Sequence, residues 1–385
     1  MPPNISTSPP NENEGGQNPY SLTVCGNWSS MAPKKLSLVV AIIVLVAFSA
    51  VTGGYFFLTS YTTPSTNMIK VTRYIAGLTD NEAVFFAADA EGFFAQNGLS
   101  VNQVVTTSAG IAIQALAADK TGLSFVWAPV FSILLLQSQN PNSTELISVA
   151  STGHKNPISL QFLASSGISK PADLAGKTVG ATAGGFPLTM FQDFLTKNGL
   201  VGKVQITKII GPALIPALLA KKVDAIVRYA DNFATLSADA TEIKEEARQL
   251  FLSDYGEPSS LGMGIIVQKI LVMDNPDVAR RIVNATMNAI RFCVLDPATC
   301  ISDFVKVNPS FNFTKSLGDF HMFIQVDLGP PFNDPKNVTT LTALQLGWHD
   351  PKEMVQIVDL AKEMFGLSPE LNPESVYTNQ FVQQP

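Results

Sequence analysis

The segment LSVNQVVTTSAGIAIQALAADKTGLSFVWA (residues 99–128) determines the fold class of this chain. Its beginning, LSVNQVVTT, and its end, LSFVWA, are rich in the β-branched and aromatic residues that are typical of strands. Between them, Gly110–Ala118 has the apolar spacing of a helix. A strand, a helix and a second strand in this order predict a βαβ unit with parallel strands.

The same pattern continues on both sides of this unit. A strand at 68–78 and a helix at Glu82–Asn97 precede it, and a helix at Val130–Gln137 and a strand at 145–152 follow it. Strands that alternate with helices predict a mostly parallel sheet with helices on both faces.

The alternation begins again at Ile158, which predicts a second sheet. Its predicted strands and helices are 158–165, 170–176, 177–182, Pro187–Asn198, 204–210, 212–222, 223–229, Phe233–Ala240 and 247–253. Two apolar segments, Ile158–Ser165 and Leu261–Lys269, are expected to cross between the two units. The fold class is therefore α/β with two lobes, each a mixed sheet flanked by helices. We expect lobe 1 to comprise 70–160 plus 265–385, and lobe 2 to comprise 161–264.

The last third of the chain carries clear helix start signals. Asn275 followed by Pro276 predicts a helix that continues to Phe292. Asp350, Pro351 and Glu353 form a capping-box pattern that predicts a helix ending at Phe365, before Gly366. His349 next to Asp350 suggests a catalytic pair, but capping accounts for Asp350 and no nucleophile is indicated nearby.

Composition excludes some classes of partner. The 385 residues include 25 Lys and Arg against 31 Asp and Glu, which gives a net charge of −6. Residues 1–69 contain two charges of each sign, so the remainder also carries −6. Because the chain has no basic run, we do not expect it to bind nucleic acid.

Residues 36–58, LSLVVAIIVLVAFSAVTGGYFFL, contain no charged side chain. As a helix this segment would reach about 34 Å, which is enough to cross a bilayer. Lys34 and Lys35 precede it, so the N-terminus is predicted to be cytoplasmic and the rest of the chain extracytoplasmic. A cleaved signal peptide ending near Ala47 and Ser49 is the alternative, but Val51–Leu58 prolongs the apolar run beyond a usual signal core.

The regions that flank this predicted anchor are polar. Residues 1–35 are rich in Pro, Asn, Ser and Gly and are expected to be a disordered cytoplasmic tail. Met31 is an alternative start, which would make the first thirty residues an artefact of gene prediction. Residues 59–69 are rich in Ser, Thr and Pro and are expected to form a stalk.

Two further features agree with export. Cys293 and Cys300 bracket CVLDPATC, and an oxidising exterior would allow them to form a small disulfide; two buried free thiols are the alternative. Four asparagines begin an N-x-S/T sequon: Asn142, Asn284, Asn312 and Asn337. Such triplets are frequent by chance, so they are compatible with export without establishing it.

Four segments resemble one protein family. AVFFAADAEGFFAQNGLSV (83–101), ISKPADLAGKTVGAT (168–182), LLAKKVDAIV (218–227) and VYTNQFV (376–382) look like successive motifs of nitrate/sulfonate/taurine-type ABC transporter binding proteins. The same superfamily includes binding proteins for thiamine pyrimidine precursors and the fungal pyrimidine synthase. The resemblance spans about residues 70–382 and implies the type 2 periplasmic-binding-protein fold.

The resemblance implies a function in import. A small solute would bind in the cleft between the lobes of a monomer, which would deliver it to a separate permease and ATPase. The chain has no Walker A motif, and we expect no catalytic residue, metal or cofactor. A membrane-tethered sensor domain is an alternative. A pyrimidine-synthase-like enzyme is a weaker one, because the three cysteines are dispersed and His154, His321 and His349 show no metal-ligand spacing.

The loops that follow the predicted strands are the expected ligand contacts. The candidates are Gly77, Leu78, Asp80, Asn81, Ser108, Ala109, Gly110, Trp127, Thr152, Thr182, Gly184, Gly185, Phe186, Tyr229 and Asp231. Small residues at 108–110 and 182–185 would expose helix N–H groups to an anion. For some of these residues a structural role is the alternative to ligand contact. Trp127 could lie in the core, and Gly184 could form only a tight turn. His154 could be a hinge residue, and Asp231 could cap the next helix.

Charge gives an indication of the ligand class. The candidate loops offer Asp80, Glu82 and Asp231, with Arg228 and Lys155 as the nearby basic residues. This balance favours a neutral or cationic heteroaromatic, such as a pyrimidine, that could stack on Trp127 or Tyr229. An anion held by backbone amides, such as nitrate or a sulfonate, remains the alternative.

Overall fold

Ten strands form two five-stranded sheets in this computed structural model, which describes residues 68–183 and 186–385. The strands are β1 (Ile69–Ile75), β2 (Leu99–Val105), β3 (Ser124–Pro129), β4 (Leu146–Gly153), β5 (Ile158–Leu163), β6 (Thr178–Ala181), β7 (Gln205–Lys208), β8 (Ala225–Tyr229), β9 (Ala247–Phe251) and β10 (Met263–Gln268). The described residues belong to one compact unit.

Helices cover both sheets. They are α1 (Ala83–Ala90), α2 (Phe93–Gln96), α3 (Ala109–Ala118), α4 (Phe131–Gln139), α5 (Phe186–Lys197), α6 (Leu214–Leu219), α7 (Phe233–Glu242), α8 (Lys269–Asp274), α9 (Pro276–Leu295), α10 (Pro297–Val307), α11 (Phe313–Phe323), α12 (Pro335–Thr340), α13 (Ala343–Leu346) and α14 (Pro351–Phe365). A short π-helical turn, Ile324–Leu328, follows α11.

Both sheets are mixed, as predicted, and most of their strands run in one direction. The strand orders are β2-β1-β3-β10-β4 and β7-β6-β8-β5-β9. In the first sheet β10 runs antiparallel to β3 and β4, and in the second β5 runs antiparallel to β8 and β9. These two strands are the exceptions to the parallel direction because β5 and β10 each enter from the other sheet, with no crossover helix to set their direction.

The segments expected to cross between the units lie inside the sheets. Ile158–Ser165 supplies β5 and Leu261–Lys269 supplies β10, and both strands are interior to their sheets. The chain passes between the sheets just before each of these strands, at residues 154–157 and 252–262. The apolar character of both segments reflects burial within a sheet, because β5 is buried along its whole length.

The close approach of strand β4 explains why residue 264 in β10 is a glycine. A Cβ atom at this position would lie 2.8 Å from the carbonyl oxygen of Ala150 in β4 and would also clash with the Ser148 side chain. The pairing of β10 with β4 shifts register next to this glycine. A side chain here would therefore separate the two strands.

Helix boundaries follow the local signals with two differences. The helix expected at Glu82–Asn97 is divided into α1 and α2 at Gly92, whose φ of 75° is left-handed. Asp350 caps α14 as predicted, with its Oδ1 accepting from Lys352 N at 2.8 Å. Glu353 does not complete the capping box, because its carboxylate contacts His154 and Ser260 instead.

The C-terminal motif pairs with the first sheet. Val376 O accepts from Ser148 N, and Thr378 N donates to Ser148 O, both at 2.9 Å. Asn379 Oδ1 accepts from His349 N at 3.0 Å, and His349 Nε2 lies 2.8 Å from Ser148 Oγ. Burial lowers the pKa of His349 to about 4, so this histidine is neutral and structural.

The predicted membrane anchor lies outside the described residues. This also applies to the tail at 1–35 and to the stalk as far as residue 67. Within the described residues, none of the helices combines the length and the apolar character needed to span a bilayer.

Cys293 and Cys300 form a disulfide in the structure. Both cysteines are buried, and the bond joins the end of α9 to α10. Among the sequon asparagines, Asn142 and Asn312 are exposed, whereas Asn284 and Asn337 are half-buried. Asn284 Nδ2, the atom that a glycan would modify, donates to Asn97 Oδ1 at 2.8 Å.

Removing the disulfide should weaken the fold moderately. For a loop of this length, chain entropy predicts that the Cys293→Ala/Cys300→Ala variant loses roughly 2–3 kcal/mol of the free energy of unfolding. Urea unfolding of the variant and of the oxidised wild type measures this loss. Reduced wild-type protein is the control and should behave like the variant. Identical midpoints for oxidised and reduced wild type would contradict the prediction.

Candidate functional site

The loops that follow β1 and β8, from different sheets, meet directly. Asn81 lies in the 3₁₀ turn Asp80–Glu82 after β1, and Asp231 lies in the 3₁₀ turn Ala230–Asn232 after β8. Asn81 Nδ2 donates to Asp231 Oδ2 at 3.0 Å. Because ligands of α/β proteins bind beyond the carboxyl ends of strands, this contact marks the candidate site.

A second polar contact between the two halves lies beside the first. Thr235 in α7 donates its backbone N–H to Asp319 Oδ1 in α11 at 2.8 Å. Lys315, also in α11, pairs with Asp239 in α7. These helices pack closely, since a Cβ atom at Gly318 would lie 3.2 Å from Ala234 Cβ.

Four aspartates are buried around these contacts. Asp80 is 7% exposed, Asp231 and Asp327 are each 3% exposed, and Asp319 is 1% exposed. They come from four different elements: the turns after β1 and β8, helix α11 and the π-helical turn. We call Asp80, Asp231, Asp319 and Asp327 the aspartate cluster.

Burial raises the pKa of every member of the aspartate cluster. It raises the pKa of Asp231 to about 6, with the Arg228 charge opposing and the Asp80 charge adding to the effect. It raises the pKa of Asp319 to about 7, although two hydrogen bonds from Thr235 oppose the shift. The pKa of Asp327 is raised well above its usual value, first by burial and then by Asp231.

Arg228 is a cation close to the aspartate cluster. The charges of Asp231, Asp319 and Asp80 act on it and partly offset the lowering of its pKa by burial. Its guanidinium donates to Asn232 Oδ1 and forms no direct ion pair within the described ranges of the chain. A guanidinium has five N–H donors, so Arg228 retains donors for a ligand.

Three carboxylate oxygens of the cluster have no hydrogen-bond partner among the described residues: Asp80 Oδ1, Asp231 Oδ1 and Asp327 Oδ1. A buried acceptor without a partner costs about 1–3 kcal/mol, and more if it is charged. Such groups are uncommon in native proteins and require a proton, a water molecule or a ligand. For residues 68–183 and 186–385, no group of three or more His, Cys, Asp or Glu is arranged to hold a metal.

Trp127 and Thr152, both candidate ligand contacts, lie in the core. Trp127 is 3% exposed, and its Nε1 donates to Thr152 Oγ1 at 2.6 Å. Its ring lies 5.5 Å from the Phe85 ring and 5.5 Å from the Phe323 ring. Trp127 is therefore a core residue, which was the alternative to ligand contact. In this conformation neither face of its indole ring is open for stacking.

The other candidates are distributed along the same edge. Phe186 is buried, with its ring 5.3 Å from that of Phe131. Ser108 caps α3 by accepting from Ile111 N, and Gly110 is exposed at the start of that helix. The half-buried candidates are Gly77, Leu78, Ala109, Thr182 and Tyr229. Gly184 and Gly185 lie outside the described residues.

Of the candidates, the structure thus brings Asp80, Asn81 and Asp231 together. Burial raises the pKa of the neighbouring Tyr229, and the charges of Asp327 and Asp231 add to this effect. Sequence reasoning missed Asp319 and Asp327. The signal for Asp319 was its position three residues after Ser316 and next to Phe320, on the apolar face of α11, where all three residues are buried.

The connections between the sheets are bonded to each other and to α14. Asn156 N donates to Ser259 O at 2.7 Å, and Asn156 Nδ2 donates to Pro258 O at 2.9 Å. The Glu353 carboxylate lies 2.7 Å from His154 Nδ1 and also accepts from Ser260 Oγ. One carboxylate therefore contacts both connections, and His154 lies in the first of them.

Two surface grooves lie away from the contact between the two loops. A groove of about 390 Å³ is lined by polar residues that include Asn284, Arg291 and Gln383. A smaller one of about 160 Å³ lies beside Lys120 and Gln268. Neither is lined by a described candidate residue, and we place the site at the aspartate cluster because three unpartnered buried oxygens lie there beside the contact between the two loops.

A family model described as NMT1/THI5 like matches residues 79–300. This chain belongs to the NMT1/THI5-like family. A relative in Haemophilus influenzae, named for thiamine biosynthesis, is 28% identical over 231 residues, which cover 60% of this chain and 70% of that protein. The predicted resemblance is confirmed at the level of the family.

Solved structures show the fold of this NMT1/THI5-like chain. The periplasmic nitrate-binding protein of Synechocystis PCC 6803 matches with a TM-score of 0.57 and 12% identity, covering 83% of this chain and 88% of that one. The periplasmic aliphatic sulphonate-binding protein of Escherichia coli matches with a TM-score of 0.55 and 12% identity, covering 81% and 98%. The chain therefore has the periplasmic-binding-protein fold.

The raised pKa of Asp231 should make stability depend on pH. A carboxyl whose pKa is about 6 in the folded state and 3.8 when it is free in solution stabilises the fold fully below pH 3.8. This contribution, about 3 kcal/mol, is lost as the pH rises through 6. Asp231→Asn should therefore flatten the decline of the free energy of unfolding between about pH 4 and pH 6.

Urea unfolding across this pH range measures the effect. Asp359→Asn, which changes an exposed carboxylate in α14, is the matched control and should follow the wild-type curve. Parallel curves for Asp231→Asn and wild type would contradict the assignment.

Loss of the Glu353 carboxylate should destabilise the fold, because this carboxylate is hydrogen-bonded to both connections between the sheets. Glu353→Ala removes two hydrogen bonds to a charged acceptor, so we expect the free energy of unfolding to fall by about 3 kcal/mol. Glu353→Gln should retain part of this stability because its amide oxygen can still accept. Denaturant titration tests both variants against Glu363→Ala, a more exposed position on the same helix. Equal stability of Glu353→Ala and Glu363→Ala would show that the hydrogen bonds of Glu353 do not stabilise the fold.

Proposed function

We propose that this chain is the solute-binding component of an ABC importer and holds a small solute between the loops that follow β1 and β8. The observation that carries this proposal is the direct contact of Asn81 with Asp231 next to buried, unpartnered carboxylate oxygens. Polar groups from two sheets that converge beyond the carboxyl ends of strands form the usual setting of a ligand site in this architecture.

The proposed cycle is opening and closing of two lobes, one around each sheet. The lobes would separate about the connections at 154–157 and 252–262, admit the solute and close on it. Closure is favoured because the solute contacts both loops in the closed state and one loop in the open state. The closed form would then deliver the solute to separate permease and ATPase subunits, and this chain would perform no chemical step.

The proposed location is the outer side of the cytoplasmic membrane. The uncharged segment 36–58 would retain the protein as a single-pass anchor, with its N-terminus in the cytoplasm. The Cys293–Cys300 disulfide supports an oxidising compartment, and the nitrate-binding and sulphonate-binding proteins compared above are both named as periplasmic.

Solute classes can be distinguished by thermal shift on the full chain in mild detergent. The panel contains nitrate, alkanesulfonates, taurine, pyrimidines and flavins, and we expect members of one class to raise the melting temperature. At one hundred times the dissociation constant, binding adds about 2.7 kcal/mol to the stability of the folded state.

Asn81→Ala should weaken binding of that solute about tenfold, because it removes a donor at the contact between the loops. Asn102→Ala, at an exposed position on β2, is the control and should bind like wild type. A melting temperature that no solute in the panel changes would contradict the proposed function.

A further inference from the structure

Helices α7 and α11 pack on each other although they belong to different halves of the molecule. Leu236 in α7 is buried in a cluster with Leu163 of β5 and Ile226 of β8. Phe323 in α11 packs on Trp127 of β3, with ring centres 5.5 Å apart. The pairing of these two helices therefore joins the second sheet to the first.

Helix α7 receives no cap from its own half. Asn232 stands at its N-cap position, where asparagine is a favoured residue, but the side chain makes no capping hydrogen bond. Its Oδ1 accepts from the Arg228 guanidinium instead. The first N–H groups of a helix have no acceptor within the helix, so the N-terminus of α7 requires an acceptor from another segment.

Asp319 in α11 supplies this acceptor from the other half. Thr235 is the third residue of α7, a position whose N–H is normally bound by the N-cap side chain. Its N donates to Asp319 Oδ1 at 2.8 Å, and its Oγ1 donates to Asp319 Oδ2. Both oxygens of Asp319 thus have protein partners, in contrast to the oxygens left unpartnered elsewhere in the aspartate cluster.

The rest of α11 fits α7 in shape and charge. A Cβ atom at Gly318 would lie 3.2 Å from Ala234 Cβ, so the glycine allows the helices to approach closely. Lys315 pairs with Asp239 and lies 3.8 Å from Glu242, the last residue of α7. Helix α11 therefore places a carboxylate at the N-terminus of α7 and an ammonium at its last turn, which is the arrangement that a helix dipole favours.

We propose that Lys315, Gly318 and Asp319 form a clasp on α7 that holds the two lobes together in the absence of solute, with Asp319 as a positioning residue. This inference rests on the lobe motion of the proposed function and concerns its regulation. Separation of the lobes would leave α7 without its cap, so the clasp opposes opening. The solute then has to supply less of the free energy of closure. The same contact holds the turn that carries Asp231, because α7 begins directly after that turn.

The distance between the lobes can be measured without any solute. Spin labels are attached to Thr107→Cys and Lys208→Cys, exposed positions at or just after the ends of the edge strands β2 and β7. Cys25→Ser restricts labelling to these positions, since the other two cysteines form the disulfide. Pulsed EPR on the full chain in mild detergent, at pH 8, should show one short distance for this labelled protein.

Gly318→Leu should open the clasp. The larger side chain separates α11 from α7, while leucine is a better helix former than glycine and preserves α11 itself. We expect a second, longer distance, with the ratio of open to closed molecules raised at least about tenfold. Gly318→Ala should have a smaller effect that Ala234→Gly reverses. Thr314→Ala, at an exposed position on the same helix, is the control and should keep the short distance.

Asp319→Ala tests the cap separately. It should also populate the longer distance, and it should accelerate hydrogen exchange of the Thr235 amide roughly fivefold, which corresponds to the loss of a typical cap. Asp319→Asn retains an acceptor oxygen and should therefore lie between wild type and Asp319→Ala in both measurements.

The outcomes separate the clasp from the function on which it rests. Unchanged distances in both Gly318→Leu and Asp319→Ala would overturn the clasp, as would a long distance in the labelled protein without further substitution. Either result leaves the solute-binding function to be decided by the thermal-shift panel. Opening by Gly318→Leu supports the clasp even if no solute in that panel binds. If Asp319→Ala does not fold, Gly318→Leu and its reversal by Ala234→Gly in the alanine variant still decide the result.

Discussion

The burial of charge between the two sheets is the constraint on which the arrangement of the site depends. A carboxylate in a poorly solvated position is stable only with a proton, a cation or several donors around it. Here four aspartates lie near one half-buried arginine, Arg228, and burial raises the pKa of each aspartate. Stability alone would not select such a cluster, because apolar side chains would fill the same volume at lower free energy. Unfavourable polar groups that persist in a well-packed fold are typical of functional sites.

Local signals in the sequence were sufficient for most of the secondary structure. Gly98 and Gly366 both have left-handed φ angles at the positions where helices were expected to end. Asp350 caps α14 because a short side-chain oxygen next to Pro351 needs no distant partner. These features depend on a few neighbouring residues, so they can be predicted without knowledge of the tertiary structure.

Features that depend on distant segments could not be predicted in this way. The direction of β10 is determined by the strands on either side of it, and both lie more than one hundred residues earlier. Trp127 follows a strand, where ligand contacts are common, but Phe85 and Phe323 enclose its ring in the core. Asp327 lies in an apolar run, and its proximity to Asp231 arises only when the C-terminal helices pack on the second sheet. Glu353 matched a capping box, but its carboxylate contacts His154 and Ser260, which lie in the two connections between the sheets.

The contacts between the two halves differ in kind at the connections 154–157 and 252–262 and at the candidate site. At the connections, a backbone hydrogen bond, an asparagine side chain and one shared carboxylate join the two segments. At the candidate site the bridging pairs are polar: Asn81 with Asp231, Thr235 with Asp319, and Lys315 with Asp239. Polar groups exchange a protein partner for water with a small net change in free energy. Exposing buried apolar surface to water, in contrast, costs about 25 cal/mol per Å². Separating these three polar pairs would therefore cost less free energy than separating apolar surface of the same area.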